Sequence, residues 1–191
     1  MPSVIGFGPR LGEYGMDKLQ LALLTKWAED EGLEGIQGRK RMQKVVYFLQ
    51  QARCPIDAEY TLHHYGPYSR ELANITDVMV AEGLLREQVV GFGQYAYSLD
   101  PRTRAMLKRI GQSESTQKFQ TFRDQAIELL KEDLWRLELG ATILYFYRSP
   151  RPHADWDDAL QRAWQYKKVD AKDPASEKAL GLAQRFANEA G

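Results

Sequence analysis

The amino-acid sequence predicts a mainly α protein with a small β-hairpin: a winged-helix-like N-terminal half packed on a helical C-terminal half. Three observations predict it. The stretch from His63 to Leu85 (HHYGPYSRELANITDVMVAEGLL) joins a strand end, a tight Gly66-Pro67 turn, a Ser69 helix start and one amphipathic helix. Helices precede this stretch and a hairpin follows it. From Ser113 onward, apolar residues keep helical spacing over most of the remaining chain.

The elements follow in order. Residues 1 to 16 carry four glycines and two prolines and read as a loose arm, with one short strand at Val4-Ile5. Gly6-Phe7-Gly8 has the start of a dinucleotide loop, but the third glycine is missing and Pro9 follows at once. Asp17 caps a first helix to about Glu31, with Leu19, Ala22, Leu23 and Trp27 inward and Gly32 as its stop. A linker spans Gly32 to Gly38. The second helix runs from Arg39 to about Ala52, with Met42, Val45, Val46 and Leu49 inward.

Tyr60 to His64 is rich in strand formers and alternates. Ser69 caps the third helix, whose buried face is Leu72, Ile75, Val78 and Met79. Gly83 stops it. Leu84 to Val90 and Gln94 to Leu99 form a hairpin about Gly91-Phe92-Gly93, with Val89, Tyr95, Tyr97 and Leu99 half-buried. Asp100-Pro101 starts a helix carrying Ala105, Met106 and Ile110. Ser113 to Tyr147 reads as one long helix or two in line, its apolar positions being Phe119, Phe122, Ala126, Leu130, Leu134, Leu137 and Ala141. Its end, Ala141 to Tyr147, is apolar on nearly all sides and therefore buried. Asp155 caps a helix with Trp156, Leu160 and Trp164 on one face. Pro174 precedes a last helix with Ala179, Leu182, Phe186 and Ala190. The organisation expected is an arm (1–16), a winged-helix-like region (17–110) and a helical region packed on it (111–191).

Composition narrows function. Lysine plus arginine numbers 26 and aspartate plus glutamate 26, so the balance lacks the basic excess typical of polyanion binders. Cys54 is the single cysteine, which excludes an internal disulfide and fits a reducing cytoplasm. The longest apolar run falls well below the ~20 residues of a membrane span. A cytoplasmic location without membrane attachment is expected.

No catalytic motif stands out, and neither a cofactor nor a metal site is expected. Cys54 beside a proline reads as a small buried thiol. His63 and His64 are adjacent on a strand and point to opposite faces; His153 is far away, so zinc is not indicated. Asp155, Asp157 and Asp158 suit a helix start. An enzyme would need a deep pocket gathering His64, Tyr65 and acidic side chains.

Two binding readings stay open. In a winged helix the third helix usually enters the DNA major groove. Here it holds Arg70 against Glu71, Asp77 and Glu82, a net negative charge that phosphates repel. Basic residues stand elsewhere: Arg39, Lys40, Arg41 and Lys44 on the second helix, where they oppose the helix dipole, and Arg102, Arg104, Lys108 and Arg109 after the hairpin. If both groups share a face, they form a nucleic-acid surface; if not, they are solvated charge. The other reading is protein binding through His64, Tyr65, Gly66, Pro67, Tyr68, Ser69 and Arg70, because tyrosine and arginine anchor interface centres. The same tyrosines would also serve to pack the strand on the helices.

Residues 41–50 (RMQKVVYFLQ) and 64–69 (HYGPYS) with Glu71-Leu72 resemble the YwgA family and the related Panacea domain of SocA-like antitoxins and phage-associated proteins. Residues 137–145 (LELGATILY), Trp156 and Lys167-Lys168 look like that family's C-terminal half. The resemblance covers roughly residues 17 to 190, and the tyrosine-Gly-Pro turn is its most specific element. Gly140 stands where alanine is more usual, which predicts a bend in the long helix. The resemblance implies a non-enzymatic prokaryotic or phage-borne protein. Such proteins neutralise a toxin, adapt a client for proteolysis or act in defence loci, with a protein partner encoded by a neighbouring gene. The sequence leaves the oligomeric state open.

Overall fold

The computed structural model of the chain describes residues 16–110, 114–149, 155–170 and 173–188. Within them the protein is mostly helical, with a small antiparallel sheet. The expectations for Val4-Ile5, Gly6-Phe7-Gly8, His153 and Ala190 lie outside the described residues.

Helix α1 (Lys18–Asp30) opens on a capping box: the Asp17 carboxylate accepts from Gln20 N at 2.7 Å, and the Gln20 side chain accepts from Asp17 N at 3.1 Å. The expected linker after it hides strand β1 (Ile36–Gln37). Gly35, at φ +95°, precedes it, and a Cβ there would strike the Tyr97 carbonyl. Two residues bracketed by glycines carry too little alternation to read as a strand.

Helix α2 (Arg39–Gln51) is followed by β2 (Thr61–His63), β3 (Gly66–Tyr68) and α3 (Arg70–Ala81). Gly66-Pro67 is not the turn that the sequence suggested. His64-Tyr65 is the turn, and Gly66-Pro67 begins β3, pairing with His63 and Leu62. On α3, Leu72 and Met79 are buried, but Val78 is 42% exposed and Thr76 takes its inward place. The Thr76 hydroxyl is satisfied at the Leu72 carbonyl (2.7 Å), so a polar residue sits there without an orphaned group.

Strands β4 (Leu85–Val90) and β5 (Gln94–Leu99) form the hairpin, and β1 joins the far side of β5 to give the order β1-β5-β4. Tyr97 and Leu99 are buried, whereas Val89 and Tyr95, paired near the tip, are exposed with Phe92. Beyond the reach of β1, Leu99 N donates to the Glu29 carboxylate at 2.7 Å.

After α4 (Pro101–Leu107) the expected long helix is three: α5 (Glu114–Gln120), α6 (Arg123–Lys131) and α7 (Leu134–Arg148). At the first break the Thr121 hydroxyl donates to Lys118 O at 2.7 Å, competing with the helical pattern. At the second, Asp133 caps α7 by accepting from Arg136 N at 2.9 Å. The buried residues Phe119, Ala126, Leu130, Leu137 and Ala141 run through both breaks. Helix α8 (Trp156–Lys167) buries Ala159 and Ala163 rather than its tryptophans, and α9 (Pro174–Asn188) is the last described element.

Helix α7 is the hub. It packs on α2, α8, α9 and β3, and residues 137–144 are all buried. It runs through Gly140 without interruption. A Cβ at Gly140 would lie 3.0 Å from Ala179 O and 3.3 Å from the Phe48 ring. The missing side chain therefore serves a close approach of α9 and α2. On the far side of the core, the Trp27 and Phe119 rings stack at 5.0 Å, tying α5 to α1.

Candidate functional site

The β2–β3 turn is held from beneath by two consecutive residues of α2. The Gln43 amide bonds both backbone groups of Ser69: it donates to Ser69 O at 2.9 Å and accepts from Ser69 N at 2.8 Å. Lys44 Nζ donates to Pro67 O at 2.6 Å. Gly66, at φ +92°, lets the hairpin backbone settle on α7, where a Cβ would come 2.7 Å from Thr142 Oγ1. Tyr68 stacks on His63 at 4.7 Å. What remains outward is Tyr65, 48% exposed, with the His64 ring against its edge at 4.9 Å. Ser69, predicted as a contact residue, is fully buried and uses its hydroxyl to cap α3 (Leu72 N, 3.3 Å). Gly66 and Pro67 are also buried; Arg70 is exposed.

The two basic groups do not form one free surface. Arg39 is held by Tyr97 Oη (2.7 Å), Asp77 (2.6 Å) and Glu87 (3.3 Å). Arg41 donates to the backbone at the end of α6, bonding Leu130 O at 3.0 Å and Glu132 O. There it answers the negative end of that helix. Lys44 is only 2% exposed, so its ammonium is out of reach of a phosphate on the surface. Arg104 is engaged by Glu29 and by Asp30 (3.2 Å). Lys40, Arg102, Lys108 and Arg109 remain exposed. Cys54 is buried, and burial pushes its thiol up to about 12. A cleft of about 260 Å³ opens between α2 and α7, lined by Tyr47, Tyr60, Tyr145 and Arg148 among others; neither His64 nor Tyr65 lines it.

Three residues that the sequence analysis did not place at the turn complete its surroundings. Glu138 of α7 is 5% exposed; Lys167, at the end of α8, stands 3.4 Å from it and donates to His64 O at 3.2 Å. The Trp135 ring lies 5.7 Å from the same ammonium. The legible signal was a glutamate inside the otherwise largely apolar stretch 137–147, which needs a cationic partner.

Lys44 is the electrostatic anomaly. Burial lowers it from its ordinary 10.5 to about 7, with Glu138 opposing and Lys167 and Lys40 adding to the shift. Between these values the unfolded chain binds a proton that the folded chain does not, so stability rises with pH. Lys167 is lowered too, chiefly by burial, and adds in the same direction. The buried Cys54 thiol, raised to about 12, acts oppositely from about pH 9, and the buried tyrosines from about pH 10. Urea unfolding between about pH 7.5 and 8.5 is expected to show stability rising by up to ~1.4 kcal/mol per pH unit from Lys44. Lys44→Met is expected to flatten that rise.

With the geometry in place, the fold and turn define a mostly helical protein with a small antiparallel sheet and a clamped tyrosine hairpin. No family model matches the chain. It is 37% identical over 89 residues to the uncharacterized protein YwgA of Bacillus subtilis (strain 168). That match takes in 45% of this chain and 52% of the relative, so the chain spans about half the length of the curated relative it matches. The likeness supports the YwgA resemblance carried by the residue motifs. Among the described residues, no helix is long and apolar enough to cross a membrane.

Proposed function

We propose that this protein is a non-catalytic, cytoplasmic protein-binding module of antitoxin or adaptor type. We read residues 17–110 as a winged helix with β4–β5 as its wing, packed on a helical C-terminal region. The Panacea likeness of the motifs around the turn points the same way, toward a partner encoded by a neighbouring gene. The observation that carries the reading is the Tyr65 turn. Its backbone is fixed by Gln43, Lys44 and the contact with Thr142, while the tyrosine ring stays 48% exposed. A pre-ordered aromatic anchor loses little entropy on docking. Nucleic-acid binding finds less support, since Arg39, Arg41, Arg104 and Lys44 have partners within the fold and the hairpin tip presents Phe92 rather than a cation.

Co-expression with the proteins of the flanking genes tests this. A stable complex on size-exclusion chromatography is expected, weakened by Tyr65→Ala by about 2 kcal/mol, or roughly thirtyfold. If none of these proteins forms a complex, or if Tyr65→Ala leaves affinity unchanged, the reading falls.

A further inference from the structure

The charges beneath the turn do not balance. Glu138 offers one carboxylate, and two ammonium groups stand against it. Lys167 Nζ stands 3.4 Å from one oxygen and Lys40 Nζ 3.7 Å from the other. Lys44 lies in the same cluster, attracted by Glu138 and repelled by both other lysines. Lys44 is buried and has one acceptor, Pro67 O, for its donors. A single negative charge is therefore shared between Lys40 and Lys167, while Lys44, the most deeply buried of the three, gives up its proton most readily.

The cluster has a mouth. The Lys40 side chain is 44% exposed, and its Nζ lies 3.3 Å from the centroid of the Tyr65 ring. Lys167 Nζ lies 6.0 Å from the Tyr65 ring and 5.7 Å from the Trp135 ring. Both rings reach the surface, at 48% and 37% exposure. One accessible cation, Lys40, thus stands beside two exposed aromatic rings, with the Lys167 side chain (5% exposed) behind it and the Glu138 carboxylate shared and buried.

We propose that Lys40, backed by the nearly buried Lys167 and flanked by Tyr65 and Trp135, receives a carboxylate from an acidic segment of a protein partner. This rests on the protein-binding reading of the Tyr65 turn and adds the chemistry of what is bound. Charge favours a monoanion: buried Lys44 holds its proton weakly, so one carboxylate added to Glu138 balances Lys40 and Lys167, whereas a dianionic phosphate exceeds what the site offers. Lysines are point charges that do not demand the fork geometry of a bidentate pair. The rings suit the apolar stems of flanking peptide residues.

The test is fluorescence anisotropy with a labelled, short glutamate-rich peptide and the full chain at low salt. The peptide is expected to bind. Lys40→Gln and Lys40→Glu are expected to weaken it by about tenfold or more, Lys40→Arg to hold it within about threefold, and Arg109→Gln to leave it unchanged. Lys40 is on the surface, so these variants keep the fold even if Lys167→Gln does not. Failure of the peptide to bind overturns the proposal, as does indifference to Lys40. A single-stranded oligonucleotide of equal charge that binds as well and loses affinity in the same variants also overturns it. So does inorganic phosphate competing better than acetate. The two readings fail separately: if Tyr65→Ala releases the partner while the Lys40 variants hold both partner and peptide, protein binding stands and the carboxylate site falls.

Discussion

Replacing Gly66 by alanine is expected to destabilise the protein by about 2–5 kcal/mol, the sum of a left-handed residue's strain and an overpacked contact. Gly66 sits at φ +92°, and the new Cβ would lie 2.7 Å from Thr142 Oγ1 and 3.3 Å from Glu138 O. Neither neighbour yields easily. The threonine hydroxyl is tied to Glu138 O at 2.7 Å inside α7, and the carbonyl belongs to the helix backbone. Thr142→Ala in the same chain is expected to recover the hydroxyl contact but not the dihedral strain. Urea unfolding of the two single variants and the double variant measures the coupling. A Gly66→Ala variant as stable as the parent would mean that the hairpin does not sit on α7 as described. The partner assay carries a second readout, because the same contact sets the position of Tyr65.

Phe48→Ala is expected to cost about 3–5 kcal/mol, in the range of large-to-small changes at fully buried aromatics. The melting temperature should fall by roughly 6–20 °C. Phe48 is fully buried on α2, its ring 5.2 Å from Phe186 of α9 and close against Gly140 of α7. Removing it opens a void where three helices meet. Phe48→Leu keeps most of the volume and is expected to cost less than about 1.5 kcal/mol. Thermal melts followed by circular dichroism and tryptophan fluorescence check both values. A loss below about 1 kcal/mol for the alanine variant would show that the void closes or that the helices do not meet there.

Much of this architecture was legible in the residues. Asp17, Ser69 and Asp155 cap helices, Gly83 follows α3, and the β4–β5 hairpin lies where alternation and Gly91-Phe92-Gly93 set it. Asp133 also caps a helix, but continuous spacing through it suggested an unbroken one. The breaks at Thr121 and Asp133 keep the inward residues in phase, so periodicity alone does not see them. Strand β1 escaped because two residues between glycines carry no pattern. Tyr65 lies in the turn, but Gly66-Pro67 belong to the strand, since their pairing depends on α2 and α7 lying beneath.

The site's polar half was harder to read. Arg39, Lys40, Arg41 and Lys44 looked like one charged group, yet successive helical positions point in different directions. One binds acids on α3 and β4, one lies over Tyr65, one caps α6 and one is buried. Charge on a helix is assigned by what stands opposite, and Glu138 and Lys167 are far off in sequence. The negative balance of α3 changes meaning in the same way, because Asp77 answers Arg39 and Glu82 answers Lys18 at 2.6 Å.

The Glu29 carboxylate at Leu99 N guards the protein against its own copies. Strand β5 outruns its two-residue neighbour, and an unpaired amide on a sheet border is an invitation to a foreign strand. By occupying that amide, a helix side chain stops ladder growth on this border, and Arg104 keeps the carboxylate in place. On the opposite border, β4 sets exposed Arg86 and Gln88 along its length, a poor template for fibril-like stacking. A small sheet is thus confined to the size at which it folds.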